Sequence, residues 1–307
     1  MHRAIAKPAN RMRRSEAAAA YVCLFPSILG LVFITYLPLI AVFALSFTDF
    51  KGVAAPNFVG FANYARLFTK DPYFVDSIKT TMVYALYSVV GSMIWSLVAA
   101  MLLNRRIPAR GFFRAVFYLP YVLPAMAVYL GWSWLYDYNN GLFNYLLNLM
   151  GLRKAMFLND SSMAVPSLAL ISVWLSGNLI VIFLAGLQNV PRVYHEAAEI
   201  DGANGWHRFW NVTLPCMTPI IFYNLLMSLV TNMQVITPAL ALTQGGPGNA
   251  TSFMSFILYR YAFKSTPSKF GYSCAIAAVF FLLIGAFTLI LFATSRTWIF
   301  YEGDDGK

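Results

Sequence analysis

Six long apolar stretches separated by more polar segments constrain this chain more than any other feature. They cover residues 17–47, 80–103, 113–136, 164–187, 218–242 and 272–294. Each is long enough to supply the roughly 20 apolar residues that a helix needs to cross a bilayer. Only 11% of the residues are charged, whereas a soluble domain carries about 25%. The sequence therefore predicts an all-α integral membrane protein with six transmembrane helices.

The basic residues indicate how the chain is oriented in the membrane. The net charge is +10, and short loops rich in Lys and Arg stay on the cytoplasmic side. This predicts that both termini and the connections 104–112 and 188–217 are cytoplasmic, and it argues against a nucleic-acid partner. Nine basic residues form two clusters beside predicted spans: Arg3, Lys7, Arg11, Arg13, Arg14, Arg105, Arg106, Arg110 and Arg114.

One membrane domain accounts for the chain. We predict a basic cytoplasmic N-terminus at 1–16, a transmembrane domain at 17–296 and a cytoplasmic tail at 297–307. The first apolar stretch exceeds the roughly 7–15 residues of a cleavable signal, so it is expected to be an uncleaved anchor. The outer connections are 48–79, 137–163 and 243–271. Two short amphipathic helices are predicted there, one with Asn63, Tyr64, Leu67 and Phe68 and one with Tyr145, Leu146, Leu149 and Met150.

The middle of every predicted span lacks Asp, Glu, Lys, Arg and His. A charged side chain at that depth costs roughly 2.5–3.5 kcal/mol or more, and membrane proteins retain one for work such as proton relay. A proton-coupled carrier is therefore disfavoured, whereas sodium coupling stays open. A membrane enzyme is disfavoured because the outer acidic residues stand singly. Cys23, Cys216 and Cys274 show no metal-ligand spacing, so no metal site is expected.

Neutral polar residues occur at membrane depth in the fourth and fifth predicted spans. They are Ser172, Trp174, Ser176 and Asn178, then Ser228, Thr231, Asn232, Gln234 and Thr237. Ser228, Thr231 and Asn232 recur at helical spacing and can share one face. Such groups beside an aromatic ring suit an uncharged, polyhydroxylated solute. The alternative is that they form hydrogen bonds between helices.

The connection 188–217 has the pattern of two short helices. Pro191 can open a helix, and Gly202 permits a left-handed turn. A second helix is expected from Trp206 until Pro215 breaks it. This connection contains three acidic residues and only two arginines, so it would repel DNA phosphate. A docking element for a soluble protein partner explains this loop better.

Specific runs in the chain resemble a known family. Glu196-Ala-Ala-Glu-Ile-Asp-Gly202, followed by Leu214-Pro215, resembles the EAA loop of ABC-importer permeases. The segment 242–251 contains Gly245-Gly246-Pro247 and is similar to a signature of maltose-type carbohydrate permeases. Residues 59–64 and 270–272 also match that family. The resemblance extends from about residue 20 to residue 300.

The resemblance implies a type I ABC importer permease bundle in a bacterial inner (plasma) membrane. Such a chain is a transport subunit rather than an enzyme, and ATP and Mg are bound by a partner ATPase. The implied partners are a second homologous permease, two ABC ATPase subunits and an extracytoplasmic sugar-binding protein, with membrane lipid around the bundle. No cofactor is expected on this chain.

The resemblance also implies roles for individual residues. Coupling to the ATPase falls to the EAA loop, 188–217, through Glu196, Ala197, Ala198, Asp201, Gly202, Leu214 and Pro215. Sugar binding falls to Ser228, Thr231 and Asn232, with Trp174 and Asn178 as further candidates. The polar pattern of the fifth span adds Gln234 to the predicted sugar site. Transport would proceed by alternating access. The alternatives are an ion-coupled secondary carrier of a neutral solute and an importer of phosphorylated or charged solutes.

Overall fold

The computed structural model describes residues 9–53, 55–105 and 107–300. Within them the regular elements are helices, together with one isolated antiparallel bridge between Thr48 and Phe58. The predicted basic residues Arg3, Lys7 and Arg106 and the tail segment 301–307 lie outside the described residues.

The helix bounds follow in chain order. The α-helices are α1 (Ala9–Gly30), α2 (Leu37–Ser46), α3 (Ala62–Thr69), α4 (Phe74–Asn104), α5 (Arg110–Val122), α6 (Ala125–Leu135), α7 (Leu142–Leu149), α8 (Ser161–Trp174), α9 (Gly177–Asn189), α10 (Arg192–Ile200), α11 (Gly205–Arg208), α12 (Leu214–Met233), α13 (Met254–Tyr259) and α14 (Phe270–Ser295). Turns of π-helix lie at Leu31–Tyr36, Phe209–Thr213, Ala239–Thr243 and Arg260–Lys264.

The apolar helices confirm an all-α membrane protein. Four of them are long and apolar enough to cross a bilayer without interruption: Ala19–Ser46, Phe74–Asn104, Gly205–Met233 and Phe270–Ser295. Two further stretches are bent pairs, α5 with α6 at 99° and α8 with α9 at 49°. Six spans result when each bent pair is counted as one.

The third predicted span is not one straight helix. Instead of running through residues 113–136, it stops at Val122 and resumes at Ala125. Pro124 explains the break because the residue before a proline is driven out of the α region. Leu123 accordingly has φ −67° and ψ 146°. The fourth span breaks at Leu175, and its two halves begin and end close to the predicted limits.

The expected break at Pro215 is wrong. Residues Gly205–Met233 form one continuous helical rod that joins the second loop helix to the fifth span. Pro215 lies in the first turn of α12, directly after the π-helical turn Phe209–Thr213. That wider turn changes the hydrogen-bond spacing just where proline has no N–H to donate, so the rod continues.

The fifth predicted span also ends earlier than expected. Helix α12 stops at Met233, and residues 234–236 are not helical before the π-helical turn Ala239–Thr243. We call 234–236 the unwound segment. Pro238 follows it and cannot donate a backbone hydrogen bond to a preceding turn.

The chain divides into two units. The first comprises residues 1–65 and 261–278. Within it, the Asn63 side-chain amide donates to the carbonyls of Ser46 and Thr48, both at 2.8 Å. The Ser46 hydroxyl pairs with the Tyr64 hydroxyl at 2.7 Å. These bonds fix the start of α3.

The two predicted amphipathic helices are both present. The one around Asn63 is α3, and the one around Tyr145 is α7.

The second unit comprises residues 66–260 and 279–307, and α4 is its central helix. Helix α4 contacts α5, α8, α9, α12 and α13. Lipid is as apolar as leucine, so burying apolar side chains between helices gains little free energy in a membrane. Close packing of α4 therefore depends on small side chains that let the helices approach each other. Most buried residues of α4 are accordingly small: Ser77, Thr81, Ala85, Ser88, Ser92, Ser96, Ala99 and Ala100. Phe74, Tyr84, Val89 and Leu103 are the larger buried residues of the same helix.

Two apolar clusters lie in the second unit. The aromatic cluster includes Trp132, Tyr136 and Phe253. The loop-side cluster adjoins the connection 188–217 and consists of Ala99, Ala100, Leu103, Ile180, Phe183, Leu184, Leu187, Val190 and Met217. From the predicted tail, Phe300 donates its backbone N–H to the Thr218 hydroxyl at 2.9 Å.

Candidate functional site

A cavity of about 520 Å³ lies within the second unit, among α4, α5, α6, α8, α9, α12 and the unwound segment. It brings together five of the six predicted sugar-site residues: Asn178, Ser228, Thr231, Asn232 and Gln234. Ser172, Ser176 and Thr237 join them in the lining. The residues around this cavity include no Asp, Glu, Lys, Arg or His. The cavity is therefore lined by hydroxyl, amide and apolar groups.

Asn232 is the most fully held side chain of the cavity wall. Its amide nitrogen donates to the Ser228 carbonyl at 2.8 Å and to the Ser228 hydroxyl at 3.2 Å. Its amide oxygen accepts from the Ser172 hydroxyl at 2.9 Å. These bonds engage both the oxygen and the nitrogen of the amide, so they hold the Asn232 side chain in one orientation. Asn232 thus links α8 to α12 and also faces the cavity.

The unwound segment places consecutive side chains on one wall. Its residues Gln234, Val235 and Ile236 all line the cavity, as do Thr237 and Pro238 after it. A regular helix could not place so many consecutive residues on one wall, because neighbouring residues point in different directions. Irregular backbone at membrane depth is tolerated where it lines a cavity. The break at Met233 is therefore part of the site.

Trp174 lies elsewhere. Its ring packs against Trp132, with centroids 5.7 Å apart at 68°, and its side chain is exposed. It is not among the residues that line the cavity.

Sequence reasoning missed the aromatic wall of the cavity. Tyr84 and Ser92 from α4, Tyr121 from α5 and Tyr129 from α6 all line it. A signal was present in the chain, because polar residues at 77, 81, 84, 88, 92 and 96 follow helical spacing along the second span.

One further polar residue lies beside the cavity wall on α12. Asn224 is completely buried, and neither atom of its amide has a hydrogen-bond partner among the described residues. An unpaired buried polar group costs roughly 1–3 kcal/mol. Asn224 precedes Ser228 by four residues and so lies on nearly the same face of α12.

The loop 188–217 forms a two-helix element. Pro191 caps the start of α10. Gly202 then has φ +79°, the left-handed conformation that its position requires. The Asn204 side chain accepts from the backbone N–H of His207 at 2.9 Å and so caps α11. The predicted turn at Gly202 is confirmed.

The two loop helices are joined by an ion pair between Glu199 and Arg208. Both side chains are partly exposed, so the pair contributes only about 0–1 kcal/mol. Of the predicted coupling residues, Glu196, Ala197, Asp201 and Gly202 are exposed, and Ala198 is half-buried. Leu214 and Pro215 are half-buried in the first turn of α12.

Three large apolar side chains of this loop are strongly exposed. Ile200 is 88% exposed, and Val193 and Trp206 are each 68% exposed.

The Gly-Gly-Pro segment is a tightly bonded turn. Gln244, Gly245 and Gly248 have positive φ angles of 50°, 87° and 54°. The buried Thr251 hydroxyl pairs with the Thr243 hydroxyl at 2.6 Å and with the Gly246 carbonyl at 2.7 Å.

In the described part of the chain, no group of three His, Cys, Asp or Glu residues could hold a metal ion.

Comparison with known families decides what kind of protein this is. The family described as binding-protein-dependent transport system inner membrane component matches residues 92–300. This chain belongs to that family. It is an ABC transporter permease, and its several apolar helices make it a multi-pass protein of the inner membrane.

Similar permeases match along nearly their whole lengths. The probable ABC transporter permease protein YesP of Bacillus subtilis is 36% identical, covering 96% of this chain and 96% of YesP. The multiple sugar-binding transport system permease protein MsmF of Streptococcus mutans is 34% identical, with coverages of 88% and 92%. The trehalose/maltose transport system permease protein MalF of Thermococcus litoralis is 28% identical, with coverages of 94% and 97%.

A solved structure has the same fold. A chain of the bacterial alginate ABC transporter, crystallised with an alginate pentasaccharide-bound periplasmic protein, aligns with a TM-score of 0.78 and 21% identity. The alignment covers 92% of this permease and 95% of that chain.

Proposed function

We propose that this permease carries a sugar or an oligosaccharide across the inner membrane. The observation that carries the proposal is the uncharged cavity, where Asn232, Ser228 and Gln234 present amide and hydroxyl groups beside three tyrosines. A polyhydroxylated solute needs many neutral donors and acceptors, and ring faces provide a surface for its C–H groups. The names of MsmF and of MalF from Thermococcus litoralis, which refer to multiple sugars and to trehalose and maltose, support the same substrate class.

The energy for transport comes, in this proposal, from a separate ATPase. The loop 188–217 would dock into that subunit through the exposed face of α10, with Glu196, Ala197, Ala198, Asp201 and Gly202. The continuous rod from Gly205 to Met233 supports this arrangement, because a push on the loop would travel along it to Ser228 and Asn232. Leu214 and Pro215 lie within the same rod. ATP and Mg would be held by the ATPase, and no cofactor by this chain.

The working unit is a hetero-oligomer. We propose a second homologous permease, two ABC ATPase subunits and an extracytoplasmic sugar-binding protein as partners. Both termini and the loop 188–217 would then face the cytoplasm. The two permeases would expose the cavity alternately to each side of the membrane.

Reconstitution tests this function. The complete complex in proteoliposomes should take up a labelled oligosaccharide only with ATP inside and a loaded binding protein outside. Neutral sugars should compete, whereas amino acids should not. Sugar phosphates are tested as a third class of competitor. If they compete better than neutral sugars, the alternative of a charged solute is supported. Accumulation by this chain alone, driven by a sodium or proton gradient, would overturn the proposal.

A further inference from the structure

One face of α12 carries a polar stripe that continues beyond the cavity. Asn232, Ser228 and Asn224 are spaced by four residues, so they stand on nearly the same face, each about 6 Å from the next along the axis. Asn232 and Ser228 line the cavity, but Asn224 does not. The stripe therefore extends one turn further toward the loop 188–217 than the cavity does.

Beyond Asn224 that face of α12 is apolar, because Ile220 and Ile221 pack against the loop-side cluster. Met217 is buried and belongs to the loop-side cluster, seven residues before Asn224. Helices α9 and α12 are tightly packed at this level. A Cβ at Gly186 would lie 2.5 Å from Cδ1 of Ile220 and 3.0 Å from Sδ of Met217. Asn224 thus stands at the boundary between the polar cavity and a closed apolar layer.

The bonding of the stripe residues differs sharply. Asn232 is engaged at both ends of its amide by Ser172 and Ser228. Asn224 is buried more completely, and neither of its amide atoms has a hydrogen-bond partner in the part of the chain that the structure describes. A residue needed only to hold helices together would be bonded across the interface. An unsatisfied buried amide needs an explanation, and a partner that arrives in another state of the protein supplies one.

We propose that Asn224 is a second binding position for the solute, which it engages as the solute leaves the cavity toward the loop 188–217. This inference rests on the proposed transport function. An amide offers one acceptor oxygen and two N–H donors, so it can both donate to and accept from a single hydroxyl. The ligand class is therefore a neutral, hydroxyl-bearing solute, the same class that fits the cavity. When the loop-side cluster separates, Asn224 is the first polar group of α12 beyond Ser228 to be uncovered.

Thiol accessibility in the assembled complex tests this position. Cys23, Cys216 and Cys274 are first replaced by serine, and Asn224→Cys, Ser228→Cys or Tyr223→Cys is then introduced. Tyr223 is the matched control because it is adjacent on α12 but half-exposed on the outside of the chain. A charged methanethiosulfonate is applied from each side of the membrane, in the nucleotide-free complex and in the complex trapped with ATP and vanadate.

The expected result is state-dependent labelling. Asn224→Cys should react from the loop side in one of the two states and at least about fivefold more slowly in the other, and added sugar should slow the reaction. Tyr223→Cys should not show this pattern. If Ser228→Cys reacts but Asn224→Cys never does, the second position is wrong and the proposed function stands. If neither reacts from either side in any state, the proposed function falls as well.

Transport gives an independent readout that does not require cysteine replacement. Asn224→Leu should reduce uptake per ATP hydrolysed by about tenfold, while the complex assembles and its ATPase still responds to the loaded binding protein. Asn224→Ser should recover part of that loss, because a hydroxyl can replace the amide as a partner. Uptake within twofold of wild type in Asn224→Leu would overturn the inference. If Asn224→Leu fails to assemble, the labelling experiment decides the question.

Discussion

Ser172 on α8 donates its hydroxyl hydrogen to Oδ1 of Asn232 on α12, across 2.9 Å and 60 residues of sequence. This bond joins the two spans that carried the predicted neutral polar groups. It also orients Asn232 toward the cavity by occupying one side of its amide. A single contact thus supports helix packing and shapes the site.

Asn232→Leu is expected to reduce oligosaccharide uptake by about tenfold or more, because the cavity loses its best-positioned amide. Ser172→Ala should have a smaller effect of about two- to fivefold, since Asn232 keeps both bonds to Ser228. Initial uptake rates in proteoliposomes measure this. Ser133→Ala is the control, because the exposed Ser133 hydroxyl bonds only its own helix, at the Leu130 carbonyl. Equal losses in Ser133→Ala and Asn232→Leu would refute a local effect.

Gly202→Ala should weaken coupling of transport to ATP hydrolysis. Gly202 has φ +79°, and an L-residue in this conformation costs about 1–2 kcal/mol. Gly205 lies three residues away without a positive φ, and neither position has any atom within 4 Å of an added Cβ. The pair therefore isolates the backbone effect. Stimulated ATPase activity should fall in Gly202→Ala and remain near wild type in Gly205→Ala; the same loss in both would contradict this reading.

Gly177→Ala should destabilise the junction between α8 and α9. The added Cβ would lie 2.6 Å from the Phe117 carbonyl oxygen, a backbone atom that cannot rotate away. Overpacking of this kind typically costs about 1–3 kcal/mol. Thermal unfolding of the purified complex should shift downward. Gly131→Ala, where no described atom outside the local helix backbone lies within 4 Å of the added Cβ, should not lower the transition, because alanine is the better helix former.

Asp160 should make stability depend on pH. Its carboxylate accepts from the Ser162 backbone N–H at 2.7 Å and from the Ser162 hydroxyl at 2.6 Å, and these bonds lower the pKa of Asp160 below its ordinary 3.8. A lowered pKa contributes stability that is fully present above about pH 4 and is lost as pH falls through the folded value.

Replacing Asp160 by alanine therefore should lower the unfolding temperature at pH 7, by roughly 2 °C. The difference from wild type should shrink as the pH falls below 3.8. Asp160→Asn is the control, because asparagine also caps helices well. A difference between wild type and Asp160→Ala that stays constant from pH 7 to pH 3 would exclude the carboxylate as its cause.

The chain itself determined the membrane fold, the approximate positions of the spans and the neutral residues of the candidate site. Runs of about 20 apolar residues admit few other structures in lipid, where every backbone group must be bonded within the helix. Local chemistry also fixed the turn at Gly202, because a positive φ strongly favours glycine.

Tertiary packing decided the rest. Helical spacing shows which residues share a face, but not which face meets another helix, because lipid and apolar side chains are alike as surroundings. For this reason the sequence did not predict that Tyr84, Tyr121 and Tyr129 line the cavity. It also did not predict that Trp174 packs against Trp132. The rod continues through Pro215 because of the π-helical turn before it. The amide of Asn224 lacks a partner among the described residues because of how the surrounding helices pack. The periodicity of a single segment predicts neither feature.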